Sequence, residues 1–295
     1  MAAYAFETVD VFTDRRFGGN QLAVFTDARG LSDAEMQALA AEMNYSETTF
    51  VLPPEDPANT ARVRIFNRTA EMPFAGHPNV GTACVLAGHG RDRDGLLRFE
   101  EIAGLVEVRV ARNPAGLVTS ATIAAPQPLS LGGELAPSEV AACIGLTESD
   151  LRLDRHRPVQ ASVGVTFFLA EVEPEALSRA TPDLASFRRA ESTRPELAGR
   201  LSLFVYAREG ANVRARMFAP VSGTWEDPAT GSASATLAAL TLHVDGGDEV
   251  AFDIRQGVEM GRPSLLHVAA RRTPDGIRAT VGGGSVPVLR GEAAV

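Results

Sequence analysis

The chain has 295 residues, long for one hydrophobic core and comfortable for two domains. Its 45% hydrophobic and 22% charged residues are those of an ordinary globular protein, which argues against disorder, and no run approaches the roughly 18 apolar residues of a membrane span. A formal charge of −9 disfavours nucleic acid as a partner, because phosphate backbones reward basic surfaces, but leaves a small anionic substrate open.

Two cysteines, Cys84 and Cys143, are too few for a disulfide framework and lack C-x-x-C spacing, so both are expected reduced and buried. Residues 1–10 include Glu7 and Asp10 and no basic, apolar signal pattern. The expected location is cytoplasmic.

In chain order, Tyr4 to Phe12 reads as a strand, Gly18-Gly19-Asn20 as a turn, and Leu22 to Phe25 as a second strand. Ser32-Asp33-Ala34-Glu35 has capping-box spacing, and Met36, Leu39, Ala40 and Met43 share a helical face behind it. Thr48 to Leu52 and the alternating Arg62 to Phe66 predict two paired strands. A Gly/Pro-rich turn, Pro73 to Pro78, then leads into a small-residue helix from about Asn79 to Ala87.

The second half replays this order. Thr166 to Val172 predicts a strand, Thr181-Pro182-Asp183 a helix start, and Leu203 to Tyr206 with Val213 to Phe218 a strand pair. The turn Asp227-Pro228-Ala229-Thr230-Gly231-Ser232 leads into a small-residue helix, Ala233 to Leu240. A strand and a glycine follow each helix, Phe99 with Gly104 and Phe252 with Gly257. Phe50 to Phe204 is 154 residues, Phe66 to Phe218 is 152, Ala75 to Ala229 is 154, and Phe99 to Phe252 is 153. Agreement this close argues for a duplicated unit.

Each small-residue helix carries hardly a charge and is expected to be buried all round. The predicted fold is α+β: two pseudo-symmetric lobes, each a curled, mostly antiparallel sheet around a central buried helix. The lobes are expected at 1–125 and 126–295, with a last strand, about 281–295, packing back on the first. Pro126, Pro128 and Gly132-Gly133 mark the expected linker, near 125–135. A cleft between the lobes would face both helix starts.

A helix amino terminus offers unpaired N–H groups and a positive dipole end to an anion. Gly76-His77 and Gly231-Ser232 are two such ends at matching positions. His77 alone among five histidines lies in such a turn, and no H-E-x-x-H or Cys/His cluster suggests a metal. Glu47 stands at a polar tip before Phe50 and Val51, where lost hydration would raise its pKa toward the range of a proton shuttle. The same context fits an exposed glutamate or a cap. Asp227 fits either an N-cap or a substrate ligand.

Gly19-Asn20-Gln21-Leu22-Ala23-Val24, Ser46-Glu47-Thr48-Thr49-Phe50, Pro73 to Pro78, Gly81-Thr82-Ala83, Asp227 to Ala233, and Gln256-Gly257 with Met260 to Ser264, in this order, resemble the PhzF-like isomerase family of phenazine biosynthesis. The resemblance implies a diaminopimelate epimerase-like fold, a homodimer, and no metal or organic cofactor. It implies an isomerase that moves a proton between ring carbons, as on trans-2,3-dihydro-3-hydroxyanthranilate. By the same match Glu47 is the acid/base, and Ser46, Gly76, His77, Asp227, Gly231 and Ser232 bind the substrate.

Tyr45 and Asn79 fill positions that vary in that family. Two rivals remain: a racemase or epimerase of the same fold, which would need a cysteine at each helix mouth, and a non-catalytic small-molecule-binding protein.

Overall fold

Burial deepens along residues 3–11, from a half-exposed start to Thr8 to Val11 all buried, in the strand β1 (Ala3–Val11) of the computed structural model, which describes residues 2–210 and 212–295. Chain contacts divide the protein into two units, Met1–Ala124 with Gly282–Val295, and Ala125–Val281. In the first unit β1 is followed by β2 (Asn20–Phe25), α1 (Asp33–Met43), β3 (Glu47–Leu52), β4 (Ala61–Asn67), β5 (Glu71–Met72), α2 (Gly76–Gly88), β6 (Leu96–Glu101), β7 (Gly104–Arg112) and β8 (Val118–Ala124). The last strand of the chain, β18 (Ser285–Ala294), pairs antiparallel with β1.

The capping box forms as its spacing predicts. Ser32 Oγ accepts from the Glu35 backbone at 3.3 Å, and Glu35 Oε2 accepts from the Ser32 backbone at 2.7 Å. Behind α1, Phe25, Phe50 and Phe66 build an aromatic stack, with ring centroids 4.9 Å apart for the first pair and 5.5 Å for the second. Such pairs add about 0.5–1.5 kcal/mol each beyond their burial. This cluster anchors the strand that begins with Glu47.

The helix α2 starts three residues earlier than the sequence suggests, so His77 and Pro78 lie inside its first turn. A proline there costs little, because the first-turn N–H groups have no intrahelical acceptor. Its residues are buried except Cys84, which is partly exposed, and Gly88. It packs against β1, β2, β3, β7 and β8. Close approach rests on Gly81, where a Cβ would stand 2.6 Å from Leu22 Cδ2 and 2.7 Å from Val11 Cγ2.

The second unit holds β9 (Ser130–Glu134), α3 (Pro137–Cys143), β10 (Val159–Ser162), β11 (Thr166–Glu171), α4 (Pro174–Leu177), α5 (Leu184–Ser192), β12 (Leu203–Glu209), β13 (Asn212–Ala219), β14 (Thr224–Asp227), α6 (Gly231–Asp245), β15 (Glu249–Gln256), β16 (Ser264–Thr273) and β17 (Gly276–Gly283). Part of the stretch read as linker is therefore a strand, β9, paired antiparallel with β10. Its two glycines, Gly132 and Gly133, hid it.

Strand pairing repeats between the units. β2–β3 and β11–β12 are parallel, whereas β3–β4 and β12–β13 are antiparallel. β4–β6 and β13–β15 are again parallel, and β6–β7 and β15–β16 antiparallel. In the second unit the buried helix is α6, with Ala233 to Leu242 all shielded from water, packed on β10, β11, β15 and β16. Two runs of strands paired in matching order, each packed on a buried helix, are the duplicated α+β fold that the spacing predicts.

Among the described residues no helix is long and apolar enough to cross a membrane.

Candidate active site

In the first unit, the parallel pairing of β2 with β3 sets Leu22 beside Glu47, so Asn20, at the start of β2, lies close to Ser46 and Glu47. Ser46 Oγ donates to Asn20 Oδ1 at 2.9 Å. Asn20 Nδ2 stands 3.5 Å from His77 Nδ1, and His77 Nε2 stands 3.4 Å from Glu47 Oε2. Both distances are at the outer limit of a hydrogen bond, a common state for catalytic groups without substrate. Glu47, the first residue of β3, has only 16% of its side chain exposed, so it is neither an exposed glutamate nor a helix cap.

His77, the second residue of α2, is buried, and its pKa falls to about 3. Burial is the cause, since a charged ring there would lose its hydration. A hydrogen bond with the Gln21 backbone pulls weakly the other way. The ring is therefore neutral at physiological pH, and its contact with Glu47 is not an ion pair. It can donate or accept a hydrogen bond without bringing a charge.

Gly76 precedes His77 as the first helical residue, and the N-cap Ala75 has no side chain that could satisfy the first N–H groups. The mouth of α2 thus offers bare backbone donors beside Glu47 and His77.

The second unit gathers Asp227, Gly231 and Ser232. Asp227 ends β14 and is buried. It does not cap α6; the N-cap is Thr230, whose hydroxyl donates to Asp227 Oδ2 at 2.5 Å. Gln256, fully buried at the end of β15, ties this turn together. Its Oε1 accepts from the Thr230 backbone at 3.0 Å, and its Nε2 donates to Asp227 O at 2.8 Å and to Thr230 Oγ1 at 3.0 Å. Gly231 and Ser232 open the helix, with Ser232 half-buried.

Sequence reasoning gave no role to Asn20, Thr230 or Gln256. Asn20 and Gln256 stand in the motifs that carry the family resemblance, but only their partners show what they do. Both thiols are displaced by burial to about 12, so neither Cys84, inside α2, nor Cys143, the last residue of α3, is a thiolate at neutral pH. A racemase built on two cysteines lacks its reactive groups here. Among the described residues no three His, Cys, Asp or Glu side chains gather as a metal site.

Residues 9–291 match a family model described as phenazine biosynthesis-like protein, PhzC-PhzF. An uncharacterized isomerase of Mesorhizobium japonicum is 38% identical, with 96% of each chain covered. The trans-2,3-dihydro-3-hydroxyanthranilate isomerase of Pseudomonas aeruginosa is 36% identical over 98% of this chain and 99% of its own. Among solved structures, a PhzF-family phenazine biosynthesis protein of Bacillus anthracis superposes with a TM-score of 0.89 at 25% identity, covering 100% of both chains. A hydroxyproline epimerase of Agrobacterium vitis shares the fold, with a TM-score of 0.63 at 16% identity over 99% of this chain and 93% of its own.

Proposed function

The chain belongs to the phenazine biosynthesis-like, PhzF-like family of isomerases, and from that premise we propose that it moves a proton within trans-2,3-dihydro-3-hydroxyanthranilate or a small acid of the same type, with Glu47 as the acid/base. The observation that carries this reading is the carboxyl of Glu47 set 3.4 Å from a neutral, buried His77 at the open end of α2.

The chemistry suits that pair. Glu47 as carboxylate takes a proton from one ring carbon; the C–H electron pair moves into the conjugated ring and an O–H bond forms on Glu47. The same O–H bond then breaks to make a new C–H bond at another ring carbon, and the resulting enol becomes the ketone. No electron leaves the substrate, so the step balances without a redox partner or cofactor. His77, neutral at working pH, steadies developing charge by hydrogen bonding, and the bare N–H groups of Gly76 and His77 suit the substrate carboxylate.

Ser46 is assigned to substrate binding beside Glu47. In the second unit Asp227, Gly231 and Ser232 take binding roles, supported by the family motif and by the ordered turn around Gln256. The same reading carries a cytoplasmic homodimer with no nucleic-acid partner, which light scattering on the purified protein tests for assembly.

The deciding experiment incubates the protein with dihydrohydroxyanthranilate in deuterated water and follows the isomerised product by NMR. Wild-type protein is expected to turn over, and Glu47→Gln to lose at least about a hundredfold in kcat while still binding, the usual scale for a general acid/base. Parental turnover by Glu47→Gln would sink the mechanism. A wild-type chain that binds the compound without converting it would point to a different small acid.

A further inference from the structure

The strands β1 and β2 form a hairpin whose ladder ends at the pair Val11–Asn20, so residues 12–19 are the loop that delivers Asn20 to Ser46 and His77. Two aromatic residues of this loop take left-handed backbone conformations, Phe12 at φ +63° and Phe17 at φ +69°. Such angles are strained for a bulky side chain. Phe12 offsets its strain by complete burial, and its backbone N–H donates to Gly284 O at 2.7 Å. Burial gives Phe17 nothing comparable, because the residue is 71% exposed.

What holds Phe17 is a buried carboxyl group. Asp10, on β1, is 3% exposed, and its Oδ2 accepts from Phe17 N at 2.6 Å. Hydrogen bonds from a backbone N–H to a carboxylate are shorter and stronger than those between neutral groups. Asp10 pairs with Gln21 across the hairpin, on the rung next to Asn20, so one side chain ties the loop to the strands at the point where the loop ends.

The end of the loop meets the groups assigned to the chemistry. Ser46 Oγ donates to Asn20 Oδ1 at 2.9 Å, Asn20 Nδ2 stands 3.5 Å from His77 Nδ1, and the Gln21 backbone hydrogen-bonds the His77 ring. Ser46 and His77 both adjoin Glu47, the first along the chain and the second at 3.4 Å. Because Asn20 is the last rung of its ladder, the order of residues 12–19 is what holds its outer side.

We propose that Asp10 is a positioning residue for the proton transfer: by clamping Phe17 in its left-handed conformation it fixes the loop, and through Asn20 and Gln21 the orientation of Ser46 and His77 against Glu47. The inference rests on the reading of Glu47 and His77 as the catalytic pair.

Clamp and strain oppose each other, so removing them one at a time and together gives different results. Asp10→Ala leaves Phe17 strained and unheld; the loop relaxes out of the left-handed region, and the rung at Asn20 loosens. Phe17→Gly alone should change little, because glycine adopts this φ without strain and the exposed ring packs on little. In the double variant, Asp10→Ala with Phe17→Gly, the strain is gone and the loop keeps its shape without a clamp.

The test measures turnover of dihydrohydroxyanthranilate well below the melting temperature of every variant, and follows the His77 ring signals by NMR. Asp10→Ala should lose about ten- to a hundredfold in kcat with KM changed less than about threefold, since a misplacement of about 1 Å costs on that scale. Asp10→Asn keeps an acceptor oxygen for Phe17 N–H and should keep most of the activity. The double variant should regain at least about fivefold over Asp10→Ala. A carboxyl group with a merely structural role would lower the melting temperature and leave kcat alone. Full kcat in Asp10→Ala, or a double variant no more active than Asp10→Ala, overturns the proposal. If Asp10→Ala does not fold, the double variant decides: it should fold and turn over, and its failure overturns the proposal. If wild type is inert toward the substrate probe, the functional reading falls, and the NMR arm still decides. The His77 signals should shift in Asp10→Ala and return toward wild type in the double variant; signals that stay in place overturn the positioning role.

Discussion

At the mouth of α6 the turn is closed by its own unit. Gln256 holds the Thr230 backbone, the Thr230 hydroxyl and the Asp227 carbonyl at once, and Ser264 Oγ donates to Pro228 O at 2.8 Å. At the mouth of α2 the corresponding atoms are less fully closed: Asn79 Oδ1 and Thr48 Oγ1 are buried without a hydrogen bond, His77 Nε2 has the long 3.4 Å contact with Glu47 Oε2, and Ala75 cannot cap the helix. Duplication produced two mouths with one backbone plan, and the turn before the second is the more fully bonded within its own unit. Natural folds break their local rules mainly at functional sites, so the open mouth is where chemistry is to be sought.

The largest expected effect sets the paired glycines against each other. Gly257 has φ +72°, and a Cβ there would meet Arg262 O and lie 2.6 Å from Pro228 O. Gly104 has φ +111°, with nothing within 4 Å of its Cβ position. Gly257→Ala should cost about 3–5 kcal/mol, backbone strain plus overlap with carbonyls that cannot move. Gly104→Ala should cost only the strain, about 1–2 kcal/mol. Urea denaturation of both variants checks this, and equal losses would mean that the closed mouth is no more tightly built than the open one.

These glycines also show what could be read in advance. Their matched spacing after Phe99 and Phe252 was visible, because duplication preserves distance along the chain. Their different surroundings were not, because Pro228 and Arg262 come close to Gly257 only through folding. The buried helices were legible from their small residues, and Ser32-Glu35 from local chemistry. The start of α2 at Gly76 is not legible, because Pro78 reads as part of a turn until its place in the first helical turn is known.

Of the site, Glu47 and His77 were singled out by motif, but the neutrality of His77 is a property of burial that no sequence pattern states. Gln256 has no role legible in the sequence for the same reason: it meets Thr230 and Asp227 only once β15 ends beside the turn before α6. Strand β9 reads as linker in the sequence because Gly132 and Gly133 outweigh a short pairing.

The next effect probes the open mouth through pH. The pKa of His77 is about 3 folded against 6.5 as the ordinary value, so between these the unfolded chain binds the extra proton. Its share of stability is whole above about 6.5 and is lost as pH falls toward 3. At about pH 5 the loss should be about 2 kcal/mol, at 1.4 kcal/mol per pH unit. His77→Gln, which cannot charge, should show a flatter acid limb in denaturant titrations at pH 7 and 5. An unchanged limb would mean that His77 charges in place, and that the mouth is wetter than its burial implies.

The smallest effect tests whether the closed mouth is closed beyond its turn. Ser234 is the fourth residue of α6, as Asn79 is of α2, and its Oγ is likewise buried without a partner. A lone buried hydroxyl costs less than an ionised group and carries no titration. Replacing an unpaired buried hydroxyl by hydrogen removes a desolvation cost and loses little packing, so Ser234→Ala should leave stability unchanged or raise it by up to about 1 kcal/mol. Asn79→Ala, by contrast, breaks the bond to Ala75 O and removes the amide that hydrogen-bonds the Glu101 carboxyl, and should lower it. Melting temperatures of the two variants at neutral pH distinguish these signs. A clear loss in Ser234→Ala would show that its hydroxyl has a partner in solution, and the two mouths would then differ even at the position where they now look most alike.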